Sequence, residues 1–261
     1  MKPVRSKMAR AGWLSLTPAL ALLALPLVCL VGETQFNDLH AAYGDWRAVG
    51  VSLRLSVWAI IVIVIVGTPL SIWLARSQSR LTRYVDILVF YSMLIPSLAM
   101  GILLVSAYGP YGPLGQLFAE IGVSLNNNAS SFVLAQVYGG LACYVTSART
   151  AFENVAPEFE EAAYDLGAPP LTTFFSVTLP LCSRAIVTAV LLAWVRIVGE
   201  FGIVAVFSYF PQGIPVKLFV DLQDSGIQAV YVLTWILLLL MLPFPFVVTC
   251  VLQRVRTTQQ R

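Results

Sequence analysis

The placement of long apolar runs constrains this chain more than any other feature. A helix that crosses a hydrocarbon core needs about 20 mostly apolar residues. Six stretches qualify: residues 13–31, 53–74, 87–107, 131–146, 185–207 and 230–252. The fourth is the weakest, because Gln136, Gly139 and Gly140 interrupt it. Only 11% of the residues are charged and 58% are apolar, whereas a soluble domain carries about 25% charged residues. Lipid as part of the solvent removes that conflict. The expectation is an all-α, polytopic membrane protein with six transmembrane helices and one domain over residues 1–261.

The first run follows Lys2, Arg5, Lys7 and Arg10, as a signal peptide would. It is long for a signal core, and no small-x-small cleavage site follows, so it reads as a retained span. Basic residues orient the chain. With a cytoplasmic N-terminus, the inside segments hold Lys2, Arg5, Lys7, Arg10, Arg76, Arg80, Arg83, Arg149, Arg184, Arg254, Arg256 and Arg261, against Arg47 and Lys217 outside. Twelve against two places both termini inside and makes the number of spans even. The outside loops are then residues 32–52, 108–130 and 208–229.

The inside loop of residues 147–184 is the most informative stretch. Pro157 suits the first turn of a helix, where its missing N–H costs nothing. Glu158, Glu160 and Glu161 favour the positive end of the helix dipole, Gly167 suits the C-terminal cap, and Pro169-Pro170 stop continuation. The pattern predicts a short helix along the membrane surface. A second one is expected over 171–177, ending before Leu179-Pro180. Ala162 and Ala163 leave a smooth face that a partner could approach, although an ordinary interfacial helix would share these features.

Other chemistry is thinly represented. Cys29, Cys143, Cys182 and Cys250 are far apart, and three lie in apolar runs, so they read as small buried hydrophobes. One histidine, His40, excludes a His-rich metal site and paired-His catalysis. The Gly109-Pro110-Tyr111-Gly112-Pro113-Leu114-Gly115 run is turn chemistry, and no G-x-x-x-x-G-K-[ST] phosphate loop occurs. No catalytic or metal-binding residue is assigned, and no nucleic-acid partner is implied.

Two ionisable residues fall in the fifth run. Arg196 and Glu200 are four apart and would share a helix face as an ion pair. Charge at mid-membrane costs at least about 2.5 kcal/mol and is usually paired or functional. The pair either fixes helix register or lines a translocation path or gate, with Gly199, Glu200, Phe201 and Arg196 as its residues. Gly199 and Gly202 would allow bending or close packing there. Arg54 lies near the outer interface, where it either snorkels or meets a delivery protein.

The pattern Glu161-Ala162-Ala163, then Gly167, then Val177-x-Leu179-Pro180 resembles the EAA loop of binding-protein-dependent ABC importer permeases. Ser52-Leu53-Arg54-Leu55-Ser56, Gly67-Thr68-Pro69-Leu70 with Ala75-Arg76, and Ile95-Pro96-Ser97 with Gly101-Ile102-Leu103-Leu104 look like that family's second and third spans. Leu141-Ala142-Cys143 stands where the family often has Leu-Pro-Phe.

The resemblance implies a coupling helix that docks on a separate ATPase dimer. Glu161, Ala162, Ala163, Gly167, Leu179 and Pro180 would be its coupling residues. ATP and Mg would bind that partner and no cofactor this chain. It further implies a periplasmic or extracellular solute-binding protein, a second permease subunit in a homodimer, and a bacterial or archaeal inner membrane. The run Gly199-Glu200-Phe201-Gly202, with Tyr209-Phe210-Pro211 and Ile214-Pro215-Val216, looks like the molybdate, tungstate and sulfate group, which implies a tetrahedral oxyanion as cargo. Sulfate, thiosulfate or another small solute stays open, as does a secondary transporter or channel. Those last two leave the 147–184 loop unexplained, and no internal repeat supports a transporter of that kind.

Overall fold

The computed structural model describes residues 4–34 and 45–243. His40, Cys250, Lys2, the end of the expected sixth span and Arg254, Arg256 and Arg261 lie outside the described residues. No strand occurs among the described residues. In chain order the helices are α1 (Val4–Glu33), α2 (Asp45–Arg76), α3 (Arg80–Leu94), α4 (Ser97–Tyr108), α5 (Pro113–Glu120), α6 (Ala129–Glu153), α7 (Pro157–Asp165), α8 (Pro170–Thr173), α9 (Leu179–Val198), α10 (Gly202–Phe207), α11 (Ile214–Ser225) and α12 (Tyr231–Met241).

The bundle is organised around α6. Its Phe132, Ala135, Gln136, Gly140, Tyr144, Val145, Ala148 and Phe152 are buried, mostly against α2 and α9. Gly140 permits this approach, since a Cβ there would lie 2.4 Å from Ile197 Cγ2 and 2.9 Å from Ile63 Cδ1. Hydrogen bonds tie the three helices together. Gln136 Nε2 donates to Ser56 Oγ at 3.1 Å and to Ile197 O at 3.2 Å, and Thr68 Oγ1 lies 2.7 Å from the Tyr144 hydroxyl. The expected weak fourth span is thus the central helix. Its mean hydropathy is 1.2, against 2.5 for α2, yet 50% of its most apolar window is buried, against 28% for α2. Its buried polar side chains, Ser131, Gln136 and Tyr144, face protein rather than lipid.

Three helical stretches, Asp45–Arg76, Ala129–Glu153 and Pro170–Val198, are long and apolar enough to cross a membrane, and the bent pair α3–α4 makes a fourth if taken as one span. Thr17–Glu33 and Ile227–Met241 are shorter apolar helices at the first and sixth expected spans.

The structure corrects three expectations. The third span is not one helix over 87–107, because the chain bends by 113° between α3 and α4. Ile95 precedes a proline and is extended, with φ −62° and ψ 125°, as steric conflict with the next ring requires. The fifth span does not run unbroken to Phe207: α9 ends at Val198, and α10 starts at Gly202. The helix expected over 171–177 does not stop before Leu179-Pro180. It passes through a π turn, Phe174–Thr178, straight into α9. Leu179 N–H bonds to Phe174 O, and this wider ladder accommodates Pro180, which lacks a donor and crowds the carbonyl four residues back. The outside segments expected over 108–130 and 208–229 carry α5 and α11. The second is pinned by Ile214 N–H donating to Ser52 Oγ at 2.8 Å.

Candidate functional site

Two regions carry the residues singled out from the sequence. The first is α7 and its flanks. Ala156 is extended, and Pro157 opens the helix with Glu158 and Glu160 in the first turn. At the other end, Gly167 N–H donates to Tyr164 O at 2.8 Å and Ala168 N–H to Ala163 O at 3.0 Å. That pair of bonds is a Schellman cap, and it puts Gly167 at φ +80°, a conformation that L side chains resist.

No residue of α7 is buried. Glu161 and Ala162 are exposed, Ala163 is half-buried, and the exposed apolar side chains Phe159, Tyr164, Leu166 and Leu171 add an unpartnered surface. Beside Gly167, an added Cβ would meet nothing within 4 Å. Leu179 and Pro180 lie in the first turn of α9, directly above the π turn.

This exposed helix is nonetheless fixed. Glu160 Oε1 accepts from Arg76 at 3.0 Å and from Thr178 Oγ1 at 2.8 Å. Arg76 also donates to Val155 O at 3.0 Å. One half-buried carboxylate therefore joins α7 to the end of α2 and to the start of α9. A charge-assisted hydrogen bond of this kind contributes about 1.5–3 kcal/mol when buried, and less here, where water still reaches the pair. Sequence reading gave Glu160 only a dipole role. The signal available was Arg76, already noted for its charge and family resemblance, but its partner is 84 residues away.

The second region is the pair of helix breaks. Arg196 is in the last turn of α9, and Gly199 is its cap. Arg196 and Glu200 do form the expected ion pair. They do not share a continuous helix, because Glu200 lies past the end of α9. The Glu200 side chain is 1% exposed and that of Arg196 46%. Glu200 Oε2 accepts from Arg196 and from Ser97 Oγ, the latter at 3.3 Å, while Oε1 accepts the Ile203 N–H at 3.1 Å. One carboxylate thus bridges α9, the first turn of α4 and the start of α10.

Gly202 lets the two breaks touch, since a Cβ there would lie 2.6 Å from Ser97 Cβ and 2.9 Å from Leu98 N. Phe201 sits between the breaks and α11, with its ring centroid 5.0 Å from that of Phe219. The structure brings Arg196, Gly199, Glu200 and Phe201 together and adds Ser97, which sequence reading noted only as part of a resemblance.

Among the described residues, no group of three or more His, Cys, Asp or Glu side chains could hold a metal ion. Cys29 is exposed, Cys143 half-buried and Cys182 buried, all as free thiols. Among the described residues only Cys182 matches the expectation of a buried cysteine.

Residues 67–257 match the family model described as the binding-protein-dependent transport system inner membrane component. The chain belongs to this family. The resemblance drawn from the 161–180 spacing is therefore borne out, and the chain is a multi-pass inner-membrane protein. A molybdenum transport system permease protein, ModB, from Azotobacter vinelandii is 35% identical over 161 residues, 61% of this chain and 71% of the relative. A molybdate/tungstate transport system permease protein, WtpB, from Pyrococcus furiosus is 28% identical over 166 residues, 64% of this chain and 61% of the relative. Among solved structures, a bacterial alginate ABC transporter in complex with its alginate-bound periplasmic protein shares the fold with a TM-score of 0.74. At 15% identity over 96% of this chain and 94% of that one, the likeness is one of fold.

Proposed function

We propose that the chain is the permease subunit of an ATP-driven importer of a tetrahedral oxyanion, molybdate or tungstate before sulfate. The observation that carries this reading is α7. A short helix with no buried residue is built as carefully as a core element, capped at Gly167 and bolted through Glu160 to two membrane helices. A helix free to swing would need no such bolt. One that must pass force to α2 and α9 does need it.

The family match supports an ATPase dimer as the partner at this surface, with Glu161, Ala162, Ala163 and Gly167 in contact and Leu179 and Pro180 passing the movement upward. ATP and Mg would bind that partner. A binding protein would deliver the anion at the opposite end, and a second copy of the chain would complete the path. The names of the relatives support the cargo. The basic residues support a cytoplasmic α7 and two cytoplasmic termini. Arg196, Gly199, Glu200 and Phe201 would line the path or its gate, because they occupy the bends where backbone leaves helical form.

Reconstitution with the ATPase and binding protein, followed by uptake of molybdate, tungstate and sulfate, tests the reading. ATP-dependent uptake of at least one is expected, and uptake of none refutes it. Reporter fusions check the topology: one after Asn127 should read outside and one after Glu158 inside, and an outside signal at Glu158 would overturn the coupling role.

A further inference from the structure

A small cavity of about 80 Å³ lies where the two helix breaks face α6. A water needs about 10–15 Å³ of such space, so this one holds several waters or a single compact anion. Ser92, Ser97, Tyr138, Cys143 and Arg196 line it. Arg196 is the one charged residue in the lining, and no carboxylate contributes to it. The Tyr138 hydroxyl is already 2.9 Å from that of Tyr108. Beside the Ser92 hydroxyl, the Arg196 guanidinium and the Ser97 hydroxyl are the donors that already hold an anionic oxygen.

Those two donors already converge on one anionic oxygen, Glu200 Oε2. The carboxylate behaves as a tethered oxyanion in a site built for one. Its other oxygen is separately held by the Ile203 N–H at 3.1 Å, so Glu200 keeps a partner if Oε2 is displaced. Arg196 is half exposed and has several further N–H groups in its fixed fork, so it can engage a second anion.

We propose that this cavity is a transient site for the tetrahedral oxyanion, which takes the Arg196 and Ser97 donors from Glu200 as it passes. The proposal rests on the oxyanion-permease reading. The displaced Glu200 carboxylate stays beside the anion on the Ile203 N–H, so repulsion between the two offsets what the donors contribute. The site therefore needs little net affinity, and Glu200 returns to expel the anion. An arginine with no such competitor would hold the anion and slow turnover.

Cys143 lines the same cavity and serves as a native reporter. The complete transporter, with ATPase and binding protein, is reconstituted in vesicles, and its molybdate uptake is measured first. Cys143 is then labelled with 2-sulfonatoethyl methanethiosulfonate, an anionic thiol reagent, and read by peptide mass mapping, with and without molybdate or tungstate. Labelling is expected to slow several-fold with either anion. Ser97→Ala should weaken that protection by roughly fivefold, the worth of about one net hydrogen bond. Arg196→Gln combined with Glu200→Gln, which leaves no unpaired charge, should remove the protection altogether.

An unchanged labelling rate in vesicles that transport molybdate overturns the site. So does a Cys143 that the reagent never reaches, or a Ser97→Ala protein protected as well as wild type. Vesicles without uptake that still show protection would retain the site and remove the importer function. Loss of both signals removes both.

Discussion

The α7 region and the paired breaks each depend on one glutamate, yet they are built in opposite ways. The form of α7 is written by its own residues: Pro157 at the start, acids in the first turn, and Gly167 at φ +80° at the end. The breaks take their form from residues far apart, with Ser97 and Glu200 103 positions distant. The α7 carboxylate, Glu160, is partly open to water, whereas Glu200 is sealed. A locally encoded, exposed element tolerates change in its own fold and exposes its faults through a partner. A tertiary junction in the bundle fails as a fold first.

Substitutions can break that contrast, and the largest effect is expected at Arg196. Arg196→Ala leaves Glu200 buried with a charge and no cation, a loss of about 3 kcal/mol. The amount of folded protein in the membrane and its thermal midpoint in detergent should both fall. The double variant with Glu200→Gln should recover much of the midpoint. Full stability of the single variant would show that Ser97 and Ile203 suffice to hold the carboxylate.

Gly202→Val comes next. Its Cβ would meet Ser97 and the Leu98 backbone at under 3.0 Å, and overpacking of this kind costs about 1–3 kcal/mol. The thermal midpoint should drop, and an unchanged midpoint would mean that the α4–α10 seam opens freely.

Glu160→Ala removes both links of α7 to the spans. About 1 kcal/mol is expected for a partly exposed, charge-assisted pair, with little change in global melting. Proteolysis within residues 157–169 should accelerate, and ATP-driven uptake should fall far more than stability. Normal uptake would dissolve the mechanical role of the Arg76–Glu160–Thr178 junction.

The smallest effect on stability is expected at Gly167→Ala. The strained φ costs about 1 kcal/mol, and the added methyl meets nothing in this chain. Any loss of uptake beyond that must come from a partner surface, which co-purification with the ATPase would reveal. Equal small losses in melting and uptake would mean that nothing docks there.

How much could be read in advance follows the same division. Pro157, Gly167 and the proline pair at 169–170 act within a few residues of themselves, so the helix they bound was legible as a pattern. Pro96 was legible as a residue, but its 113° bend was not. A proline only forbids one continuation and does not choose the new direction. Gln136, Gly139 and Gly140 read as weakness in the fourth span, because hydropathy treats every membrane residue as facing lipid. In the structure, Gln136 faces Ser56 and the end of α9, and polar residues there raise no lipid cost.

By itself the sequence determined that this chain needs a membrane, which segments are apolar enough to enter it, and that residues 157–167 form a capped helix. Those facts depend on composition, period and local backbone conformation, which travel with the residues. Only the tertiary structure decided that α6 is the centre, that the third and fifth spans break, and that the breaks meet at Glu200. Those outcomes depend on which surfaces find each other across the bundle. The buried Glu200 carboxylate is held by Arg196, Ser97 and the Ile203 N–H, which only the folded bundle brings together.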